Sequence, residues 1–505
     1  MRLLRPLTIA LLLAPAPLVA QDPPPVAESS AAEAAPPAPP APLSDVLEPL
    51  TEDRLFRDAK IALQVVKVST GEEVYAWKAD TGMNPASTMK VVTAAAALRT
   101  LGPSHRWTTT VLRDGDVNAD GVLEGDLYVV GTGDPTLVVE KLWKLVYDLK
   151  LEGIDAVEGN VYFDDSYMDH AWPIRGWTKQ QDIDNGPAYF ATTGALSLNF
   201  NTTAVVVGPG SKIGDPARVV LETPAPGIVT IENELKTTGS GSRRWVRMER
   251  EVSDRSMTLE LSGAVPIGAT TQRYYRTVPD PTANFQAAFV AQLKAHGVKV
   301  RGQFLEKVAP ERGLRQVVLL KSPPLSTILM DMNKYSNNFM AEQVLKTLGS
   351  EVHGSPGTTE KGLEVVSSYL EDIGIPRDEH RLVNGSGLSR EIAVRPTLLT
   401  AVLLDMAEDD VVGHEFRTSL AIGGRDGTLW SRFRDEDEVD RMRGKTGTLN
   451  GVHCLAGYVE GGDGDTYAFA YLVNDLPASI ARARQAHDRF VEAMLQMPSQ
   501  PVAER

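Results

Sequence analysis

The sequence predicts an α/β fold of the α+β type, in which blocks of helices and blocks of strands follow one another. Three observations predict it: an apolar helix over residues 85–98, short strands with glycine turns between residues 107 and 307, and helices from residue 325 followed by strands. A chain of 505 residues, 42% of them hydrophobic, has material for more than one core, so we expect two or three domains.

The amino terminus has the pattern of a secretory signal. Arg2 and Arg5 precede an apolar run that is too short to span a bilayer, and Ala20 is a small residue suited to cleavage. Residues 1–20 are therefore predicted to be a signal peptide or, if cleavage fails, an anchor. The Pro/Ala-rich residues 21–43 predict a disordered linker. We expect an exported protein of the periplasm or cell envelope, with at most weak membrane association.

The first folded elements are predicted to be a hairpin and a helix. Residues 61–68 and 73–77 form two apolar strands around a tight Ser-Thr-Gly turn. Asn84 and Pro85 favour the start of the helix that follows. That helix is apolar on almost every side, which is typical of a helix buried all round.

Ser87 and Lys90 are three residues apart on this helix, so their side chains share one face. A serine hydroxyl is a weak nucleophile until a base takes its proton, and a lysine is such a base only where burial or positive charge favours its neutral form. Lys90 is the one charge in the apolar run. A lysine that extends its amine to solvent from a packed helix explains the same residues, so the pair alone does not decide.

The middle of the chain is rich in strands. Strands are predicted over residues 107–112, 125–131, 203–207 and 257–261, and helices over residues 137–150 and 287–296. Residues 116–121 match the first half of a calcium loop, but Leu127 stands where the bidentate glutamate belongs. A hairpin turn is therefore predicted there rather than calcium binding.

A break is predicted inside a long helical stretch that starts at Leu325 and runs to Leu348. The polar string from Asn333 to Asn338 interrupts its apolar face, which indicates a break that faces a cleft. Further helices are predicted over residues 358–373, 396–408 and 479–495, and strands over residues 438–448, 455–459 and 467–473.

Charge and composition exclude several function classes. The net charge of −15 argues against a surface for nucleic acid or anionic membrane. Cys454 is the single cysteine, so no internal disulfide is possible, and it is interpreted as a small buried hydrophobe. The eight histidines are scattered without a ligand pair, so neither a metal nor another cofactor is expected.

Three short motifs occur in a fixed order, each on the expected kind of element. They are Ser87-x-x-Lys90, Ser336-x-Asn338 and Lys445-Thr446-Gly447 followed by Thr448. Each motif is weak alone, but together they resemble the active-site serine penicillin-binding proteins and β-lactamases. The stretch between the first two motifs is far longer than a compact β-lactamase needs. The sequence is therefore identified as a member of the class C low-molecular-mass penicillin-binding proteins, the D-Ala-D-Ala carboxypeptidase/endopeptidase family.

This resemblance implies the domain organisation. A transpeptidase-like domain, similar to that of β-lactamases, would consist of an antiparallel sheet flanked by helices and contain residues 44–105 and 310–500. Two nested strand-rich domains would be inserted at residues 106–309, the inner one at about residues 120–190.

Further stretches carry the same resemblance, namely residues 131–137, 384–390 and 424–429. Asn384 stands where the family more often has aspartate, which concerns only the local loop. Ser386, in the same glycine-rich loop, is interpreted as part of a structural turn rather than as a second nucleophile.

The resemblance also implies roles for the motif residues. Ser87 would attack the carbonyl of the penultimate D-alanine, with Lys90 as the base. Ser336 would relay the proton toward the leaving amine, and Asn338 would orient Lys90 and the substrate amide. Lys445 would supply a positive charge that favours a neutral Lys90.

The third motif would bind the substrate. The hydroxyls of Thr446 and Thr448 would hold the terminal carboxylate, and Gly447 would let the substrate approach the strand closely. Backbone N–H groups of Ser87 and Thr448 would form the oxyanion hole. The implied partners are peptidoglycan stem peptides, with β-lactam antibiotics as covalent inhibitors and no nucleic acid.

Two alternatives remain at the level of sequence. A β-lactamase must hydrolyse its acyl-enzyme quickly, but no motif identifies a deacylating glutamate. A catalytically silent scaffold that binds peptidoglycan through its inserted domains has no need of the complete motif set. Ser336 could merely cap its helix and Lys445 could be an ordinary edge-strand charge. The balance of carboxypeptidase and endopeptidase activity, the third stem residue and the oligomeric state stay open.

Overall fold

The computed structural model of the protein describes residues 58–177, 179–435, 439–476 and 480–496, together with Asp45 and Glu48. The predicted signal peptide (1–20) and linker (21–43) lie outside the described residues, as do positions 44, 438, 479 and 500, where predicted segments begin or end. Among the described helices, none combines the length and apolar character needed to cross a membrane.

The chain forms strands and helices in alternating blocks. The strands are β1 (Lys60–Lys67), β2 (Glu73–Trp77), β3 (Thr108–Arg113), β4 (Asp116–Val117), β5 (Val122–Glu124), β6 (Leu127–Gly131), β7 (Ala156–Val157), β8 (Val161–Asp164), β9 (Thr202–Gly208), β10 (Arg218–Leu221), β11 (Val229–Asn233), β12 (Lys236–Thr238), β13 (Trp245–Ser253), β14 (Ser256–Pro266), β15 (Gln272–Thr277), β16 (Lys299–Val300), β17 (Phe304–Glu306), β18 (Arg315–Lys321), β19 (Ala421–Ile422), β20 (Met442–Leu449), β21 (Val452–Glu460) and β22 (Thr466–Asn474). The α-helices are α1 (Met89–Leu101), α2 (Val139–Leu151), α3 (Gln180–Asn185), α4 (Pro281–Ala295), α5 (Leu325–Lys334), α6 (Asn338–His353), α7 (Thr359–Asp372), α8 (Pro396–Glu408), α9 (Gly413–Ser419) and α10 (Ile480–Leu495).

A six-stranded antiparallel sheet organises the two ends of the chain, in the order β19-β20-β21-β22-β1-β2. Alternate residues of its strands face opposite sides. Ala456, Ala468 and Ala470 belong to the core shared with helices α1, α5, α6 and α8. Leu455 and Phe469 belong to the core on the other face, with helix α10. Both faces are covered by helices, which confirms the predicted α/β fold with an antiparallel sheet flanked by helices.

Helix α1 lies in the middle of the larger core. All its residues from Met89 to Leu98, including Lys90, are buried. Its four consecutive alanines, 94–97, are fully buried, so neighbouring helices approach it closely. The predicted buried helix is confirmed, and it ends at Gly102, which has φ +74°.

The start of this helix differs from the prediction. A short 3₁₀ turn, Ala86–Thr88, precedes the α-helix, which begins only at Met89. The Asn84 side chain accepts a hydrogen bond from the Ala86 N–H at 3.0 Å, and Ala86 has φ +45°. This left-handed residue turns the chain just before Ser87 and delays the regular helix.

The predicted break in the helical stretch is confirmed between α5 and α6. Ser336 lies in the break with φ +58°, a conformation in which few residues other than glycine are found. The Asn337 side chain then caps α6 by accepting the Met340 N–H at 3.1 Å. The polar residues thus stop one helix and start the next.

Strands of the inserted region belong to two separate groups. Residues 108–164 and 299–321 form a five-stranded sheet (β17-β8-β6-β3-β18) and a four-stranded sheet (β16-β7-β5-β4), which share a core with α2 and α4. Residues 202–277 form a three-stranded sheet (β10-β9-β15) and a four-stranded sheet around β14, with their own core.

We propose from this pairing that the inner inserted domain spans residues 202–277, and not about residues 120–190 as expected from the sequence. The reason is that β5, β7 and β8 pair with β16 and β17, which lie beyond residue 298. By the same argument the catalytic domain resumes after Lys321 and not at residue 310, because β18 pairs with β3. Pairing between distant segments leaves no local signature in a sequence.

The hairpin predicted in place of a calcium loop is confirmed. Strands β4 and β5 pair antiparallel, and Gly121 in the connection has φ +71°. The Asn118 side chain accepts hydrogen bonds from Asp120 N–H at 3.0 Å and Val122 N–H at 3.1 Å. These bonds are those of an Asx turn.

Candidate active site

The 3₁₀ turn that carries Ser87 is confined by two glycines. A Cβ atom at Gly447 of β20 would lie 2.5 Å from the Pro85 carbonyl oxygen. A Cβ atom at Gly387, which has φ +83°, would lie 1.8 Å from the Ala86 carbonyl oxygen. Only glycine lets strand and loop approach the turn this closely. At the level of sequence, a glycine at position 447 is explained by close access of a substrate. The structure adds a second explanation, namely close contact with the turn that carries Ser87.

The Lys90 amine is fully buried beside Ser87. Its Nζ donates to Ser87 Oγ at 3.0 Å, to Asn338 Oδ1 at 2.7 Å and to the Ser386 carbonyl oxygen at 2.6 Å. Burial lowers the pKa of Lys90 to about 7, while the charge of the Glu342 carboxylate acts in the opposite direction. A substantial fraction of the amine is therefore neutral near pH 7 and able to accept a proton.

A second pair of hydroxyl and amine lies across the cleft. Lys445 Nζ donates to Ser336 Oγ at 2.8 Å and to the Thr446 carbonyl oxygen at 2.8 Å. Lys445 is fully buried, and burial together with the charge of Lys90 holds its pKa well below the usual value. Because the two ammonium groups oppose each other, a charge on one favours the neutral form of the other.

Asn338 connects the two helices to the inserted region. It is the first residue of α6, and while its Oδ1 accepts from Lys90, its Nδ2 donates to the Tyr189 carbonyl oxygen at 2.8 Å. Both ends of the amide are thus engaged, so its orientation is fixed. Tyr189 lies in the predicted inserted region, which therefore contributes to the wall of the site.

The hydroxyls of the third motif line a cavity of about 190 Å³ that also contains Ser87 and Ser336. Thr446 and Thr448 alternate with Lys445 and Gly447 along β20, so they lie on the opposite face of the strand from these two residues. Thr446 Oγ1 donates to Thr428 Oγ1 at 2.9 Å.

Four residues with nitrogen-bearing side chains also line this cavity, namely Arg432, Arg484, His453 and His487. The guanidinium of Arg432 donates to Asp488 at 2.7 Å, and burial lowers the pKa of both histidines, which favours their neutral form. The two guanidinium groups are the positive charges of this lining.

Several contacts of the site escaped the sequence analysis. The Ser386 carbonyl, the Tyr189 carbonyl, the Thr428 hydroxyl and the Glu342 carboxylate lie in or behind the cleft. The sequence predicts a structural turn at Ser386 and a resemblance over residues 424–429, but no contact of either with the cleft. Nothing in the sequence around residue 189 indicates its position, because carbonyl contacts depend on the backbone path.

The interpretation of Ser386 as part of a structural turn is confirmed, and the turn comprises residues 384–388. Asn384 Oδ1 accepts the Gly387 N–H at 2.9 Å, and Asn384 Nδ2 donates to the Leu388 carbonyl at 3.0 Å. The Ser386 hydroxyl accepts the Leu388 N–H at 3.3 Å and is fully buried, so it serves the turn. Cys454 is buried as predicted, and burial raises the pKa of its thiol to about 12.

The arrangement is the one that a nucleophile with an adjacent base requires. One hydroxyl contacts a buried amine whose pKa lies near neutrality, and a second hydroxyl contacts a second buried amine. Such pairs perform acyl transfer through a covalent intermediate. Within the described ranges, no three His, Cys, Asp or Glu side chains converge in a way that could hold a metal ion.

Known proteins are similar to this chain in sequence and in fold. The model of the D-Ala-D-Ala carboxypeptidase 3 (S13) family matches residues 43–495. A D-alanyl-D-alanine carboxypeptidase from an Actinomadura species is 34% identical over 446 residues, which cover 86% of this chain and 81% of that protein.

Solved structures of known proteins are similar to this chain in fold. Penicillin binding protein 4 from Haemophilus influenzae matches with a TM-score of 0.76 at 25% identity, over 89% of this chain and 97% of that one. A structure of the same protein in complex with a β-lactam matches in fold with a TM-score of 0.73 at 24% identity, over 91% of this chain and 100% of that one.

The close contact at Gly447 leads to a prediction. In Gly447→Ala the new methyl group would displace the Pro85 carbonyl, so we expect the Ser87 turn to move and the Ser87–Lys90 hydrogen bond to lengthen in a crystal structure, with a lower melting temperature. Gly82→Ala is the matched control, because its Cβ would meet only Ala393 at an ordinary 3.7 Å. An unmoved turn in Gly447→Ala would contradict the packing argument.

Proposed function

The chain belongs to the D-Ala-D-Ala carboxypeptidase 3 (S13) family and is a serine DD-peptidase, and we propose that Ser87 is its nucleophile and Lys90 the base. The resemblance predicted from the three motifs is thereby confirmed. The observation that carries the assignment of roles is the 3.0 Å contact between Ser87 Oγ and the buried Lys90 Nζ.

Acylation begins with transfer of the Ser87 proton to neutral Lys90. The Ser87 oxygen attacks the carbonyl of the penultimate D-alanine, and the backbone N–H groups of Ser87 and Thr448 stabilise the negative charge on the carbonyl oxygen. Asn338 supports this step because it holds the Lys90 amine at 2.7 Å. Its fixed amide also orients the substrate amide.

Expulsion of the leaving group needs a proton on its nitrogen. Ser336 relays to that nitrogen the proton that Lys90 took from Ser87, while the Lys445 amine, which donates to the Ser336 hydroxyl at 2.8 Å, holds this hydroxyl in place. The left-handed backbone of Ser336 is consistent with this role, since strained conformations concentrate at functional sites. Water then hydrolyses the acyl-enzyme and releases the shortened stem peptide.

Thr446 and Thr448 bind the terminal carboxylate of the substrate. Both residues line the cavity that contains Ser87, and the guanidinium groups of Arg432 and Arg484 in the same lining favour a negative charge there. A carboxylate in this position places the scissile carbonyl next to Ser87.

The substrates are stem peptides of peptidoglycan, and we include cross-links among them as targets of endopeptidase action. The carboxypeptidase names of the relatives support the first activity. Penicillins are expected to acylate Ser87, and the β-lactam complex of the Haemophilus protein supports this expectation.

The place of action follows from the substrate. An enzyme of this family acts on the cell wall, and we propose that residues 1–20 direct export to the periplasm or cell envelope. Family membership favours a peptidase over the two alternatives, a β-lactamase and a silent scaffold.

Labelling with penicillin tests the nucleophile. The wild type should be labelled covalently by a fluorescent penicillin and should release D-alanine from a stem-peptide analogue, whereas Ser87→Ala should do neither, because the attacking oxygen is lost. Ser386→Ala is the control that keeps Ser87. An adduct on the wild type that turns over in seconds would instead indicate a β-lactamase.

The pH dependence tests the base. Because the pKa of Lys90 lies at about 7, the rate constant of acylation by the labelled penicillin should rise through pH 7 and level off above it. As the pH falls through 7, the amine becomes protonated and the rate should fall about tenfold per pH unit. A midpoint near the usual lysine value of 10.5 would contradict the role of Lys90.

Products from intact peptidoglycan distinguish the two activities. Carboxypeptidase action should remove one alanine from stem peptides, while endopeptidase action should convert cross-linked dimers to monomers, and mass spectrometry separates the two. Ser87→Ala should leave both substrates unchanged. Intact cross-links after complete loss of terminal alanine would exclude the endopeptidase part of the proposal.

A further inference from the structure

We propose that Glu342 is a positioning residue for Lys90: its carboxylate holds the Ser386 carbonyl against the Lys90 amine and stabilises the ammonium that forms when Ser87 is deprotonated. This inference rests on the proposed role of Lys90 as the base. None of the three motifs contains Glu342, and it is buried, so it acts through its neighbours and not on the substrate.

Glu342 lies behind the site on helix α6. It is four residues after Asn338, so both side chains share one face of the helix. Only 3% of Glu342 is exposed. Its Oε1 accepts the Ser386 N–H at 2.8 Å and its Oε2 accepts the Gly385 N–H at 3.2 Å. Both oxygens of this buried carboxylate therefore accept hydrogen bonds from the same loop.

These two bonds determine where the loop presents its carbonyl groups. The Ser386 carbonyl oxygen lies 2.6 Å from Lys90 Nζ, and the Gly385 carbonyl oxygen accepts from Thr93 Oγ1 at 2.7 Å. Helix α6 therefore holds the N–H groups of residues 385 and 386, while helix α1 holds their carbonyl oxygens. Without Glu342, two buried N–H groups would lose their partners, which is costly.

The charge of Glu342 has a separate effect. Two other ionisable groups interact with the Lys90 amine: Glu342 from α6 and Lys445 from β20. Residues 384–388 contribute no charged side chain. Burial raises the pKa of Glu342, whereas its backbone N–H donors and Lys90 act to lower it. A carboxylate here offsets one of two buried lysine charges, which are costly when unpaired.

The charge of Glu342 favours the transfer of the Ser87 proton to Lys90. When the Ser87 proton moves to neutral Lys90, the new ammonium donates to Asn338 Oδ1 and the Ser386 carbonyl, and the Glu342 charge lowers its energy. Burial alone would make Lys90 a weaker base than the reaction needs. Glu342 therefore keeps the pKa of Lys90 from falling further.

The test is the pH profile of acylation by a fluorescent penicillin in Glu342→Gln. Removal of the charge should move the midpoint near pH 7 to lower pH, by about one unit, and should lower the plateau roughly tenfold because the amine is a weaker base. A purely structural role would lower the rate at every pH and leave the midpoint in place. An unmoved midpoint in labelled, folded Glu342→Gln would overturn the inference.

Glu342→Asp provides a second arm. It keeps the charge but shortens the side chain, so the plateau should fall while the midpoint stays at the wild-type pH. A shifted midpoint in this variant would also overturn the inference, even if Glu342→Gln fails to fold. Asp280→Asn, at the buried cap of α4, is the control for loss of a buried carboxylate elsewhere, and its midpoint should equal that of the wild type.

Wild-type behaviour separates this inference from the proposed function. If the wild type is not labelled at all, or if Ser87→Ala is labelled equally, the proposed function fails. If the wild type is labelled through Ser87 with a midpoint near pH 7 and the Glu342→Gln midpoint does not move, only the inference about Glu342 fails.

Discussion

The constraint on which the site depends is the burial of a lysine amine in the centre of a hydrophobic core. Lys90 has no contact with solvent, so its polar contacts come from the protein: a hydroxyl, an amide oxygen and a backbone carbonyl. A buried amine without such partners would be very costly. The surrounding alanines of α1 make this possible, because small side chains let three other segments reach the same point.

Those segments are far apart in sequence. Helix α1 and the 3₁₀ turn before it supply Lys90 and Ser87, while the start of α6 and the break before it supply Asn338 and Ser336. The 384–388 turn supplies a carbonyl, and β20 supplies Lys445. The six-stranded sheet and the core that contains α1 hold these segments in place. The strands of the predicted inserted region lie between α1 and α5 in the sequence. Tyr189, which belongs to the same region, contacts Asn338 at the cleft through its backbone carbonyl. The insertion is therefore part of the site's wall as well as an addition to the fold.

Much of this could be predicted from sequence because it depends on local patterns. The apolar run around Lys90 indicated burial, the polar string before α6 indicated a break, and the Ser-x-x-Lys spacing indicated contact. The parts that could not be predicted depend on distant pairing. Strands near residues 120–190 look like any others in a sequence, and nothing local indicates that they pair with strands at residues 299–306. Glu342 and the Ser386 carbonyl were missed for the same reason.

The antiparallel sheet joins β1, at the start of the described chain, to β22, near its end. During synthesis the segment with Ser87 and Lys90 emerges long before β20, with Lys445, and before β21 and β22. Chains fold from the amino end as they are made, but this sheet cannot close until β22 is available. The order of the segments therefore delays formation of the cleft until β20 to β22 have been made, and a chain that stops short of them has Ser87 without Lys445.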